Sequence, residues 1–285
     1  MLIDSPSHGA PQRCAVLGDP IAHSLSPVLH RAGYAELGLD WTYEAVQVPS
    51  GGLSAFLEHD SGWRGLSLTM PLKREVLELG DELTDRARAA GAANTVVLDG
   101  GRLLLDNTDL PGAVAAVRER FSGPVDEVSV IGSGATAASI GLALCELGAR
   151  TVRVLSRDEG RAAATIEVIA SHASAPAVTW RDLSAVTSEV VLPGDAVVST
   201  IPAEAQGVAL VEACRSTSLV FEALYDPWPT PLAAAALARG QALVSGLDLL
   251  VHQAALQFEL FTGQVAPVAV MRSAGETALA ARAQA

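Results

Sequence analysis

The chain has 285 residues, 49% of them apolar, and its 15 prolines and 25 glycines punctuate apolar runs instead of forming a low-complexity tract; it is long enough for two domains, and disorder and fixed-period repeats are disfavoured. A net charge of −13 with no dense Lys/Arg stretch argues against nucleic acid as a partner. No run is apolar enough for a membrane span, Met1 to Pro6 lacks a secretory pattern, and Cys14, Cys145 and Cys214 form no Cys-x-x-Cys pair, so a soluble, cytoplasmic protein with free thiols, no membrane contact and no metal site is expected.

The first third alternates strands and helices: Ala15 to Leu17, a helix from Pro27 to Leu37, a strand from Trp41 to Val48, a helix from Leu53 to Glu58, and a strand from Leu66 to Thr69. This alternation predicts an α/β sheet. A helical, charge-dotted stretch is expected from Lys73 to Ala90. Thr95 to Leu98 and Leu103 to Asp106 then flank Asp99-Gly100-Gly101, a hairpin signal because glycine accepts positive φ. Beyond a helix from Pro111 to Phe121 come five short strands, apolar on both faces and separated by Ala-rich helices. They are Val128 to Ile131, Val152 to Leu155, Ala196 to Thr200, Leu219 to Glu222 and Ala242 to Ser245. That pattern fits a doubly wound parallel sheet. The helices from Gly246 onward exceed what such a sheet needs and are expected to return to the first domain. The fold class is α/β with two domains, residues 1–109 with 246–285, and residues 110–245.

Among 19 basic residues only Lys73 is a lysine, in Ser67-Leu68-Thr69-Met70-Pro71-Leu72-Lys73. Guanidinium stays protonated in proteins, whereas an amine can release a proton, so Lys73 is the first candidate for proton transfer, set against a single surface lysine surviving by chance. Asp106-Asn107-Thr108-Asp109 offers a carboxylate partner, or an Asx turn in which Thr108 or Asp109 caps the next helix. Ser24-Leu25-Ser26-Pro27 reads as an N-cap at Ser26 with Pro27 opening the helix, and its paired hydroxyls could also cradle a carboxylate.

Gly132-Ser133-Gly134-Ala135-Thr136-Ala137 follows a strand and opens a helix, the setting of a dinucleotide-phosphate turn. The next strand ends in Ser156-Arg157 where an NAD site would place a carboxylate, which favours the 2′-phosphate of NADP over NAD. Asp158 either starts the following helix as an N-terminal acid or weakens the selectivity against NAD.

These residues together resemble the shikimate dehydrogenase family. The resemblance rests on Ser24-Leu25-Ser26-Pro27, the Ser67 to Lys73 segment, Gly91-Ala92-Ala93-Asn94-Thr95, Asp106 to Asp109, the glycine turn, Tyr225-Asp226-Pro227-Trp228-Pro229-Thr230-Pro231-Leu232, and Gly246-Leu247-Asp248-Leu249-Leu250-Val251-His252-Gln253. It implies a substrate-binding domain, an NADP-binding domain and reversible NADPH-dependent reduction of 3-dehydroshikimate to shikimate, a step of aromatic amino-acid biosynthesis. It further implies that Ser24 and Ser26 hold the substrate carboxylate, that Thr69, Lys73, Asn94, Asp109 and Gln253 hold ring hydroxyls with Lys73 and Asp109 as the catalytic pair, and that Tyr225 contributes to the site. Thr200 and the backbone at Gly246 join the glycine turn, Ser156 and Arg157 as cofactor contacts.

Three departures from the family pattern stand out: Ser67 where many members have Asn, Ser156-Arg157-Asp158 in place of Asn-Arg-Thr, and Ala135 in place of glycine. The rival readings are a quinate or aminoshikimate dehydrogenase using NAD, a lyase with Lys73 as Schiff-base nucleophile, and a non-catalytic sensor of the same metabolites or NADP. A homodimer stays open, and His252, about 100° around the helix from Gln253, reads as structural.

Overall fold

The computed structural model describes residues 10–60 and 62–284, and in it the chain forms two units, one running to Thr108 and resuming at Leu250, the other Asp109–Leu249. The expectation concerning Met1 to Pro6 lies outside the described residues. Among the described residues, no helix is long and apolar enough to cross a membrane.

The first unit is built from β1 (Gln12–Gly18), α1 (Ser26–Glu36), β2 (Trp41–Gln47), α2 (Leu53–His59), β3 (Trp63–Leu68), α3 (Leu72–Glu75), β4 (Glu82–Leu83), α4 (Asp85–Ala90), β5 (Thr95–Asp99) and β6 (Arg102–Asp106). The strands form one sheet in the order β2-β1-β3-β5-β6-β4. Leu17, Leu66, Leu72 and Leu105 sit fully buried in its core, the physical source of the apolar runs seen in the sequence. The hairpin lies between β5 and β6, with Gly100 and Gly101 both at positive φ.

One expectation is corrected here. Residues 73–90 are not one helix but α3, a 3₁₀ turn at Val76–Glu78, β4 and α4. Around Gly80 the backbone pairs with β6 instead: Asp81 N–H donates to Leu103 O at 3.0 Å, and the Asp81 carboxylate accepts Leu103 N–H at 2.7 Å. Long-range strand pairing thus overrides the helical propensity of the stretch.

Register decides where the loops emerge. β1 runs parallel to β3 with Leu17 opposite Leu68, while β5 is antiparallel to β3 with Ser67 opposite Thr95, and Thr95 faces Asp106 on β6. The loop after β1, the segment after β3, the residue before β5 and the exit of β6 therefore share one end of the sheet.

The second unit comprises α5 (Asp109–Arg120), β7 (Glu127–Ile131), α6 (Ala135–Glu146), β8 (Thr151–Ser156), α7 (Glu159–Ala170), β9 (Ala177–Asp182), β10 (Ala196–Ser199), α8 (Val208–Ala213), β11 (Leu219–Glu222), α9 (Pro231–Arg239) and β12 (Ala242–Val244). All strand pairs are parallel, in the order β12-β11-β10-β7-β8-β9. From β7 the chain winds first to one side and then, from β10, to the other, which makes the β7/β10 boundary a topological switch point. β9 escaped the sequence reading because it is an edge strand, half-exposed along its length, and carries no continuous apolar run.

α10 (Gly246–Thr262) begins in the second unit and ends in the first, and α11 (Val268–Arg282) packs on α1. Phe258 and Phe261 of α10 join His30, Tyr34 and Tyr43 in an aromatic cluster, with His30 stacked on Tyr43 at 4.1 Å. This burial brings the C-terminal helices back to the first unit.

Candidate active site

Four separated segments meet around Asn94 in the first unit. Its side-chain oxygen accepts the Thr108 N–H at 2.8 Å and the Thr95 hydroxyl at 2.8 Å, and its amide donates to Gln253 Oε1 at 3.2 Å. The Asn94 oxygen is thus saturated by protein donors, and contact with a ligand falls to its amide side. The preceding residue, Ala93, donates its N–H to Lys73 O at 2.8 Å, which fixes the backbone of the lysine beside Asn94. Thr69 is pinned by its N–H to Leu17 O at 2.9 Å and accepts Leu72 N–H at 2.9 Å, so the turn that launches α3 starts from the end of β3. Lys73, Thr69 and Ser24 are half-buried, while Ser26, Asn94, Asp109 and Gln253 are buried.

The serine pair departs from expectation. Ser26 is already inside α1 and Leu25 takes the N-cap position without a side-chain bond. It is Ser24 whose hydroxyl oxygen accepts the Ser26 N–H, at 3.3 Å. The capping role assigned to Ser26 is therefore corrected: Ser24 serves the helix entrance. Likewise Asp109 opens α5, two residues before the expected start, and the Thr108 hydroxyl is directed at Asn94 Oδ1 at 3.1 Å instead of at the helix.

Ser67, Asp106 and Gln257 support this cluster, and of the three only Gln257 lies outside the motifs named from the sequence. Ser67 accepts the Tyr43 hydroxyl at 2.5 Å and donates to Gln257 Oε1 at 2.7 Å, and the Gln257 amide donates to Asn94 O and Thr95 Oγ1, each at 3.0 Å. The departure at Ser67 is therefore absorbed by internal bonding. Gln257 lies four residues after Gln253 on α10, a spacing that puts both on one helical face and was the available signal. Asp106 is structural: it accepts Thr84 Oγ1 and Asn107 N–H, each at 2.7 Å, and pairs with Arg86.

In the second unit the glycine turn lies at the switch point. Gly132 has φ +117°, and a β-carbon there would stand 2.1 Å from Thr200 Oγ1, so only glycine fits. Gly134 is the N-cap of α6 in extended conformation, and a β-carbon there would meet no protein atom within 4 Å. Protein packing does not demand glycine at 134, whereas a phosphate laid on the helix N-terminus would. Ser133, Ala135 and Thr136 line this turn half-buried, and Ala137 is fully buried behind it. Thr165 holds the turn from α7 by donating to Ser133 O at 2.8 Å.

At the end of β8, Arg157 is exposed, and Asp158 caps α7 by accepting the Arg161 N–H at 2.9 Å. The Ser156 hydroxyl is buried, donates to Asp158 O at 2.8 Å and accepts from Trp180 Nε1 at 3.0 Å. These internal bonds engage the Ser156 hydroxyl, and the exposed guanidinium of Arg157 is the charged group suited to an anion there. Tyr225 is half-buried in the loop after β11. Gly246 packs so closely on that loop that a β-carbon would lie 2.4 Å from Ala223 O.

Cys14, Cys145 and Cys214 are buried free thiols; burial raises Cys14 and Cys214 to about 12 and Cys145 to about 11, so none is a ready nucleophile.

Comparison with known proteins agrees with this arrangement. Residues 16–96 match the shikimate dehydrogenase substrate binding domain, and residues 246–274 match the shikimate 5′-dehydrogenase C-terminal domain. The NADP(+) shikimate dehydrogenase of Desulfitobacterium hafniense is 35% identical over 276 residues, 93% of this chain and 98% of that protein. Among solved structures, Mycobacterium tuberculosis shikimate dehydrogenase superposes with TM-score 0.83 at 38% identity, over 94% of this chain and 100% of that one. A Thermus thermophilus shikimate 5-dehydrogenase in complex with NADP(H) and shikimate gives 0.77 at 30%, over the same shares. Quinate dehydrogenase from Corynebacterium glutamicum in complex with NAD also superposes, at 0.83 and 29% identity, over 94% and 100%. With its fold, its Asn94-centred polar cluster and its glycine turn in place, the chain belongs to the shikimate dehydrogenase family.

Proposed function

We propose that the protein is an NADP-dependent oxidoreductase that reversibly reduces 3-dehydroshikimate to shikimate. The observation that carries this reading is the convergence of the Lys73 segment, Asn94, Thr108 and Gln253 at one end of the first sheet. A ring bearing several hydroxyls needs donors fixed at several angles, and this cluster supplies amide groups whose own orientations are locked by protein bonds. Residues 1–109 with 246–285 serve as the substrate-binding domain, and residues 110–245 as the cofactor domain.

In this reading Ser24 and Ser26 take the carboxylate, and Thr69, Asn94, Gln253 and Tyr225 orient the ring. Bound NADPH supplies the hydride. Lys73 gives a proton to the ketone oxygen as it becomes an alcohol, Asp109 holds the amine in place, and the proton that Lys73 has given up is replaced from solvent; in the reverse direction Lys73 takes the hydroxyl proton. The residues present fit the dinucleotide: Gly132 makes the tight turn, Gly134 leaves room over the α6 N-terminus, and the exposed Arg157 would hold the 2′-phosphate. Asp158 is engaged in capping α7 and so is poorly placed to select the unphosphorylated ribose of NAD. A cytoplasmic location belongs to the same proposal and is supported by three thiols kept free. No part is assigned to nucleic acid, in keeping with the net charge of −13. The homodimer left open by the sequence is read by sedimentation of the same preparation.

An absorbance assay at 340 nm, crossing shikimate and quinate with NADP and NAD, tests the reading. The expected outcome is that shikimate with NADP gives the highest kcat/KM. A preference for quinate with NAD would transfer the protein to the activity of its Corynebacterium neighbour, and tight ligand binding without turnover would make it a sensor.

A further inference from the structure

A buried carboxylate with no part in the chemistry above lies at the end of β11. Glu222 is fully buried and no cation is among the groups that hold it. Three donors surround it: Leu224 N–H at 3.1 Å on one oxygen, and the Gln206 amide at 2.7 Å and the Thr230 hydroxyl at 2.8 Å on the other. The Leu224 N–H can only donate, and the two side-chain donors are each fixed in that role by a second bond. The Gln206 oxygen accepts Leu232 N–H at 3.1 Å, which sets the direction of its amide, and the Thr230 oxygen accepts Ala233 N–H at 3.2 Å as the cap of α9. A group that only accepts satisfies this environment, whereas an amide at position 222 would set a donor against a donor in either orientation.

Burial pushes the Glu222 carboxyl above its ordinary range, opposed by the Leu224, Thr230, Gln206 and Ser199 contacts. Desolvation of this kind is costly, and a structural carboxylate of the same reach would be cheaper in solvent. What the site achieves is closure of a loop. Leu224 is at the start of residues 223–230 and Thr230 at the end, so one side chain holds both ends of the segment that carries Tyr225. The same loop is tied to the start of α10, because Gly246 N–H donates to Leu224 O at 3.2 Å.

We propose that Glu222 is a positioning residue for this loop, fixing Tyr225 for the substrate. The inference rests on the dehydrogenase reading above.

A double-mutant cycle on kcat/KM for shikimate, at saturating NADP, tests it with wild type, Glu222→Gln, Tyr225→Phe and the double variant, each first shown to melt cooperatively. Glu222→Gln is expected to lower kcat/KM roughly tenfold to a hundredfold, the scale of a small misplacement of a binding group. In the Tyr225→Phe background the same change is expected to cost less than about threefold, because it acts through a group already removed. Equal costs in both backgrounds, wild-type kinetics for Glu222→Gln, or wild-type kinetics for Tyr225→Phe would each overturn the proposal. If Glu222→Gln does not fold, Gln206→Met, which removes one donor and keeps the carboxylate, replaces it under the same criteria. A wild-type protein inert toward shikimate with either cofactor would instead tell against the dehydrogenase reading, so the two failures are distinct.

Discussion

Lys73 owes its position to a backbone bond, the Ala93 N–H to Lys73 O contact that seats α3 beside Asn94. Its amine is the proposed proton donor and acceptor, so Lys73→Ala is expected to lower kcat by about 10²–10⁴-fold with the melting temperature little changed, measured by steady-state oxidation of shikimate. A variant with normal turnover would remove Lys73 from the mechanism. Arg157 is exposed at the end of β8, where Ser156 and Asp158 are occupied by internal bonds. Arg157→Ala is therefore expected to lower kcat/KM for NADP by about 10–100-fold, the worth of one or two charge-assisted bonds to a phosphate, while kcat/KM for NAD stays near its starting value. Equal losses with both cofactors would show that the guanidinium does not read the 2′-phosphate.

The strand-to-helix turn after β7 is the element on which cofactor binding depends. Its shape follows from one residue, since Gly132 combines φ +117° with a β-carbon position 2.1 Å from Thr200 Oγ1. Gly132→Ala must strain the backbone or displace Thr200, which itself donates to Ile131 O at 3.2 Å. A loss of about 1–3 kcal/mol in stability is expected, together with a smaller NADP-induced rise in melting temperature than wild type shows. Unchanged melting with and without NADP would refute the tight-turn account. A second element is set by a capping box: Ser245 and Asp248 bond reciprocally at the start of α10, and Arg120 pairs with Asp248 at 2.7 Å. This anchors the helix that carries Gln253 and Gln257 onward into the first unit.

At the scale of the molecule, stability toward acid is linked to the aromatic cluster that joins α10 to α1 and β2. Burial lowers His30 to about 3, opposed by Gln257, from 6.5 in the unfolded chain. The folded protein therefore keeps His30 neutral where the unfolded chain takes up a proton. The resulting stability is complete above about pH 6.5 and is lost as pH falls toward about 3. The slope from this residue is at most about 1.4 kcal/mol per pH unit. His30→Phe, which keeps a ring against Tyr43, is expected to flatten the fall in urea-unfolding free energy between about pH 6 and pH 4, by up to one proton's worth. Identical slopes in the two proteins would show that His30 titrates normally.

Much of this protein was legible in its linear order because the signals are local. The hairpin at Gly100-Gly101, the buried strands of the second sheet, the Gly132 turn and the solitary Lys73 each express a backbone or chemical requirement within a few residues. Tertiary structure alone decided that residues 73–90 break into short pieces around β4, because Asp81 pairs with Leu103 on a distant strand. It also decided that Ser24 rather than Ser26 supports α1, that Ser156 turns inward to Asp158 and Trp180, and that Glu222 holds both ends of the Tyr225 loop. A hydroxyl or carboxylate has several possible partners, and which one it takes depends on groups brought near only by folding. Periodicity and turn chemistry therefore mark the elements, whereas the partners of buried polar side chains are settled only where those elements pack.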